Sequence, residues 1–158
     1  MYFPDLSMNP WSEISQEYKP GYRYQNIGWL SCEQEFQHGP VEEGIATYIH
    51  EQCQNHCINL MCGSHTCDLC YPANYNIFDL AGIDLHKTPI LNEEQVKIVN
   101  ELYLLENGFG NGEIWIWDTD IVYVCPQLIT HYIDVHHYKP PDCFLEAVQR
   151  IIASLSAS

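Results

Sequence analysis

The residues best suited to chemistry lie in one short polar segment near the middle of the chain. Residues 62–70 read CGSHTCDLC and hold three cysteines and one histidine. The Cys67-x2-Cys70 spacing is typical of a tight turn that directs two thiolates at one tetrahedral metal ion. We therefore predict that Cys67 and Cys70 are metal ligands.

Two further ligands are expected from other positions. His131 and His136 have the His-x4-His spacing found in zinc sites. At 100° per residue they point about 140° apart on an ideal helix, so the last turn must distort for both to bind. His65 competes for the fourth place, because in an extended turn it can lie on the same side as Cys67. We predict Cys67, Cys70 and His131 as ligands, with His136 or His65 as the fourth.

Zinc is the predicted metal, because mixed thiolate and imidazole ligands at tetrahedral spacing suit Zn²⁺, although iron and copper also accept such ligands. Each ligand has a simpler alternative. Cys67 and Cys70 could be small buried hydrophobic residues or a redox pair. His131 has apolar neighbours and could be a core histidine, and His136 could interact only with a helix dipole.

Length and charge limit the class of protein. The chain has 158 residues, which predicts a single domain over residues 1–158. Hydrophobic residues make up 46%, which argues against wholesale disorder. Six Lys and Arg residues against 21 Asp and Glu residues give a net charge of −15. We therefore expect that the protein binds neither nucleic acid nor a membrane. If it has a protein partner, we expect that partner to be basic.

The cysteines indicate a compartment. Residues 1–5 carry neither the basic segment nor the apolar run of a secretion signal, and no apolar run approaches 18 residues. We therefore expect a cytoplasmic protein. Thiols stay reduced there, so clustered cysteines indicate metal binding more than disulfides.

Hydrophobic periodicity and turn residues predict an α+β fold, in which helices pack on a small, mostly antiparallel sheet and a Cys/His knuckle holds the metal. Strands are predicted at residues 22–31, with Gly28 as a possible bulge, at 75–85, and as a hairpin over 113–125. Helices are predicted at residues 40–54, 93–105, 126–136 and from the N-cap Asp142 to about Leu155. Asn92 and Gln95 have the spacing of a capping box for the second of these helices.

Several motifs spread along the chain resemble those of a family of short, uncharacterised bacterial proteins of unknown function. They are Gly63-x-His65-x-Cys67-x2-Cys70, Gly110-Asn111-Gly112-Glu113 and Pro126-x-Leu128-Ile129-x-His131-Tyr132-Ile133-x2-His136-x-Tyr138-x-Pro140-Pro141. The resemblance implies a bacterial, single-domain protein and supports one shared Cys/His site, but it implies no activity.

Two functions are compatible with these patterns. The first is a non-enzymatic, immunity-type interaction protein with a structural metal and an acidic face, since residues 93–120 carry seven acids against Lys97 alone. The second is a metal-dependent hydrolase with three protein ligands, an open metal position and Asp68 or Asp134 as base. The first is favoured, because no His-Glu-x2-His or zinc-deaminase pattern is present in the sequence.

Overall fold

The computed structural model describes residues 1–60, 65–71, 78, 81–87, 90–102 and 108–158. Within them, four α-helices accompany a three-stranded sheet and a two-stranded ribbon, which confirms the predicted α+β class. The helices are α1 (Glu43–Asn55), α2 (Glu93–Leu102), α3 (Ile129–His136) and α4 (Asp142–Ser156). The strands are β1 (Arg23–Asn26), β2 (His65–Thr66), β3 (Phe109–Gly110), β4 (Glu113–Trp117) and β5 (Ile121–Pro126).

The three-stranded sheet has the order β1-β5-β4. The predicted hairpin is confirmed: β4 and β5 pair antiparallel, with Trp115 opposite Val124. The segment is rich in β-branched and aromatic residues, which favour a pleated, covered surface. On its other edge β5 pairs in parallel with β1, so the sheet is mixed, while the β2-β3 ribbon is antiparallel.

The two faces of the sheet are covered by different parts of the chain, because neighbouring strand residues point to opposite faces. One face contributes Ile114, Ile116 and Tyr123 to the main core shared with α1, α3 and α4. The other face holds Trp115 and the valines of β5 under aromatic residues of the N-terminal segment. The edge-to-face pairs Phe3–Trp29 and Tyr22–Trp117, with ring centroids 5.5 and 5.1 Å apart, belong to this cover.

Two helices begin three residues later than predicted. The expected start of α1 at Pro40 was wrong, because residues 38–39 pair with residues 137–138. His38 forms a β-bridge with Tyr138, and the Gly39 amide donates a hydrogen bond to the His137 carbonyl at 3.0 Å. The chain stays extended there and α1 begins at Glu43. Likewise α3 begins at Ile129, because Pro126 still belongs to β5.

Other boundaries also changed. The strand expected at 22–31 is limited to β1, because Gly28 adopts a left-handed φ of +74° and turns the chain. Asp142 is the first residue of α4 rather than its N-cap, which is Pro141. The Asp142 side chain instead bonds to Lys139 Nζ at 2.8 Å.

The capping box of α2 is confirmed, since the Asn92 amide donates to Gln95 Oε1 at 3.0 Å and the Gln95 amide donates to Asn92 Oδ1 at 2.9 Å. The predicted end of this helix at residue 105 lies outside the described residues. Of the strand expected at 75–85, residues 75–77 and 79–80 also lie outside them; Phe78 is helical and residues 81–85 form turn and coil, so the prediction was wrong for the described part. In the part of the chain that is described, no helix has the length and apolar character needed to cross a membrane.

Candidate metal centre

A tight turn after β2 places the two cysteine sulfurs. The Cys67 amide donates to the Gly108 carbonyl at 2.7 Å, which fixes the start of the turn against the ribbon partner. The amides of Cys70 and Tyr71 then donate back to the Cys67 carbonyl at 3.2 and 3.1 Å. Such a turn brings side chains three positions apart to one side, as the Cys-x2-Cys spacing requires.

Helix α3 carries the two imidazoles, with His131 in its first turn and His136 as its last residue. His137 adopts a left-handed φ of 55° and its amide bonds to the Tyr132 carbonyl, five residues back instead of the four of a regular α-helix. The helix end therefore departs from regular α geometry beside His136, and the ring centroids of His131 and His136 lie 5.1 Å apart.

The four side chains form one group. Cys70 Sγ lies 3.3 Å from His131 Nε2 and 3.2 Å from His136 Nε2, and Cys67 Sγ lies 3.3 Å from His136 Nε2. The four candidate ligand atoms all lie within 4.8 Å of one another. Tetrahedral zinc, with bonds of about 2.3 Å to sulfur and about 2.0 Å to nitrogen, would separate sulfur from nitrogen by roughly 3.5 Å. The three sulfur–nitrogen distances given above lie within about 0.3 Å of this value, so the group could hold a metal ion.

The four candidate ligand side chains differ in their exposure to solvent. Cys67 and His131 are buried, His136 is half-buried and Cys70 is exposed. Burial raises the pKa of the Cys67 thiol to about 12, so a nearby positive charge is needed to keep it as a thiolate at neutral pH. Burial, followed by the neighbouring His137, lowers the pKa of His136, which favours the neutral imidazole that a metal requires.

Two residues whose positioning role was not predicted from the sequence, Gly108 and Asp68, hold this group in place. Gly108 has a φ of +80°, and a Cβ there would lie 3.1 Å from both Cys67 Cβ and His131 Nε2. Asp68, inside the cysteine turn, accepts bonds from Ser31 Oγ and the Cys32 amide, each at 3.2 Å. Asp68 thereby ties the turn to the segment that follows β1. The glycine-rich stretch was visible in the sequence, whereas the partner of Asp68 was not.

His65 lies outside the four-residue group. The chain turns at Cys67, so His65 and Cys67 do not share the extended backbone that would put their side chains on one side. His65 instead lines an apolar cavity, with its ring centroid 6.4 Å from that of Trp29. Burial lowers the pKa of His65, and the charge of the amino terminus lowers it further.

The acidic candidates are dispersed. Both carboxylate oxygens of Asp68 accept the bonds described above, and Asp134 is exposed on α3. Of the seven acids in 93–120, Asp118 and Asp120 form ion pairs of 2.7 Å with Arg150 and Arg23. Glu106 lies outside the described residues. The described acids thus include both exposed side chains, such as Glu93 and Glu94, and paired ones.

The remaining cysteines in the described residues are free thiols. Cys53 and Cys125 are packed in the core, whereas Cys32 and Cys143 are exposed. Burial raises the pKa of Cys53 to about 12 and that of Cys57 to about 11, so both are unreactive thiols at neutral pH.

Comparison with known proteins gives one match. The model of a family described as Domain of unknown function (DUF7919) matches residues 1–149. No curated protein and no solved structure matches the chain.

Proposed function

The chain belongs to the DUF7919 family, whose description carries no activity, so we propose a function from the chemistry of its own residues. We propose that it is a zinc-binding, non-enzymatic protein in which Cys67, Cys70, His131 and His136 hold a structural Zn²⁺. The observation that carries this proposal is the convergence of two thiols and two imidazoles on one point. Two thiolates and two imidazoles form one of the common structural zinc sets.

The number of ligands supports a structural role. A catalytic zinc keeps one position for water and has three protein ligands, whereas four protein ligands close the site. The two carboxylates considered as bases give little support to a hydrolase, since Asp68 is engaged with the segment after β1 and Asp134 faces solvent. Bound zinc would instead join the cysteine turn to α3, over more than 60 residues of sequence.

Metal content and thermal stability of matched cysteine variants test this proposal. Cys70→Ser removes an exposed ligand, and Cys143→Ser removes an exposed cysteine on α4. We expect one zinc per chain in the native protein and in Cys143→Ser, with a Tm that falls when a chelator is added. Cys70→Ser should lose zinc and the response to chelator. Full zinc content in Cys70→Ser would contradict the proposal.

A second pair of variants identifies the fourth ligand. His136→Gln should reduce zinc affinity, because His136 Nε2 lies within 3.3 Å of both sulfurs. His65→Gln should leave it unchanged, because His65 lines the cavity. The reverse result would make His65 the ligand.

The charge supports an interaction role for the folded protein. A net charge of −15 speeds encounter with a basic partner, and exposed acids such as Glu93 and Glu94 provide part of it. We expect a bacterial, cytoplasmic protein that binds a basic protein, as immunity proteins bind toxins. A pull-down from the native organism should recover a basic protein that also binds the purified chain and is released by high salt. Recovery of no basic protein at low salt would contradict this role.

A further inference from the structure

A cavity of about 340 Å³ lies apart from the four candidate metal ligands. It is enclosed by the N-terminal segment, the glycine-rich stretch before β4 and the residues that follow β5. Its walls include Trp11, Trp29, Asn59, His65, Glu113 and Leu128. The volume lies in the range of sites for small organic ligands, about 300–1,000 Å³.

Large apolar side chains surround the opening. Met1, Trp11 and Ile14 are 63%, 55% and 81% exposed, whereas Trp29 and Leu128 are buried. Exposed apolar residues scattered singly are common, but a group that lines one concave site marks a place where an apolar ligand gains binding free energy.

Two glycines contribute to the shape of this site. A Cβ at Gly112 would lie 2.5 Å from Cys57 Sγ and 2.9 Å from the Ile58 carbonyl oxygen, so no side chain fits there. A Cβ at Gly110 would lie 3.3 Å from Leu128 Cγ. The Gly-Asn-Gly-Glu motif thus supplies two cavity-lining positions without side chains, followed directly by Glu113.

The half-buried Glu113 carboxylate accepts hydrogen bonds but forms no ion pair with any described residue. Its Oε2 accepts bonds from Asn59 Nδ2 at 2.8 Å and Trp115 Nε1 at 3.0 Å, and Asn59 is itself held by Ser15 Oγ. Among the described residues, no donor bonds to Oε1 and no Lys, Arg or amino terminus forms an ion pair with this carboxylate. A carboxylate at an apolar cavity gains most from a ligand that brings a positive charge.

We propose that this cavity binds a small organic cation, a primary ammonium carried on an aromatic or alkyl body. The ammonium group bonds to Glu113, and the apolar body contacts Trp29 and Trp11, whose indole faces also attract cations. A neutral or anionic ligand of the same shape leaves the carboxylate uncompensated and binds more weakly. The proposal uses no metal ligand and stands independently of the zinc proposal.

Calorimetric titration with matched probes tests the charge requirement. 2-Phenylethylammonium, benzylammonium and hexylammonium are compared with 2-phenylethanol and 3-phenylpropionate. Spermidine, whose charges are spread along the molecule and leave no extended apolar body, measures non-specific attraction to the acidic chain. We expect saturable binding of one equivalent of at least one of the three ammonium probes, and weaker binding of the alcohol, the acid and spermidine. Absence of saturable binding for all three ammonium probes overturns the proposal, as does equal binding of ammonium and alcohol.

Variants locate the site. Glu113→Gln should weaken binding of the ammonium by about ten-fold or more without changing binding of the alcohol. Glu146→Gln, an equal charge change at an exposed position of α4, should have no effect. Trp11→Ala truncates an exposed side chain, so it keeps the test available if Glu113→Gln does not fold, and it should weaken every aromatic probe. Unchanged ammonium binding in Glu113→Gln, or in Trp11→Ala, overturns the proposal.

Discussion

Gly108 lies so close to His131 that a methyl group on Gly108 would be 3.1 Å from the imidazole Nε2. This atom also lies 3.3 Å from Cys70 Sγ. The backbone of Gly108 further accepts the Cys67 amide. One residue without a side chain thus touches both halves of the metal centre.

Gly108→Ala should destabilise the chain and weaken metal binding. A left-handed conformation costs a residue with a Cβ about 1–2 kcal/mol, and the displacement of His131 adds to this. Gly21→Ala is the matched control, because Gly21 has a φ of +95° but a Cβ there meets nothing within 4 Å. Both variants should lose free energy of unfolding in urea, but only Gly108→Ala should lose zinc affinity. Equal zinc affinities in the two variants would contradict this account.

Asp68→Ala should weaken metal binding although Asp68 is not one of the four candidate ligands. Its bonds to Ser31 and Cys32 orient the turn that carries the two sulfurs. Loss of such supporting bonds typically costs about ten-fold or more in metal affinity. Competition with a coloured chelator measures the affinity. Asp134→Ala, which removes an exposed carboxylate from α3, should leave the affinity unchanged.

Tyr138→Phe should raise the pKa of Asp5. Burial already raises this pKa above 3.8, while bonds from the Gly28 amide and the Tyr138 hydroxyl act in the opposite direction. The hydroxyl lies 2.9 and 2.8 Å from the two carboxylate oxygens, so its loss removes an effect that lowers the pKa. Carbon NMR of the Asp5 carboxyl group measures the change. Tyr22→Phe, which alters a tyrosine packed on Trp117, should not shift it.

The same contact predicts a direction for stability with pH. A carboxyl group whose pKa is raised on folding stabilises the folded state at pH values below its unfolded-state pKa of 3.8. This stabilisation is lost as pH rises through the folded-state pKa. Tyr138→Phe raises the pKa of Asp5 in the folded state further. The variant should therefore have a lower free energy of unfolding than the native chain, and this difference should grow as pH rises from 3.8 through the folded pKa of Asp5. A loss that shrinks with rising pH would contradict the assignment.

Asn92→Ala should loosen the start of α2. Its side chain accepts the Gln95 amide, and an N-cap of this kind contributes about 1 kcal/mol. Hydrogen exchange of the α2 amides should accelerate by several-fold. Asn100→Ala, on the exposed surface of the same helix, should slow exchange or leave it unchanged, because alanine is the better helix former.

The parts of the fold that the sequence predicted correctly are formed by residues close together in the chain. The capping box at Asn92 and the hairpin over 113–125 are local, so their residues determine them directly. The predicted start of α1 was wrong because His38 pairs with Tyr138, a long-range contact that hydrophobic periodicity cannot show. The parallel pairing of β1 with β5 is equally non-local.

The candidate site was predictable to a similar degree. The spacing of Cys67 and Cys70 predicted that their sulfurs lie together, whereas the position of His136 rather than His65 beside them depends on the end of α3 and on the chain direction after Thr66. The cavity beside Glu113 was missed, because its walls come from segments that no single motif joins.

The parallel alignment of Arg23 with Ile121 also constrains the order of events during synthesis. Almost a hundred residues must be synthesised after β1 before its partner strand, β5, is made. Until then Tyr24, in β1, and the nearby Trp29 have no sheet to pack against. The nascent chain therefore exposes an aromatic segment for most of its translation, and transiently exposed apolar surface of this kind favours aggregation.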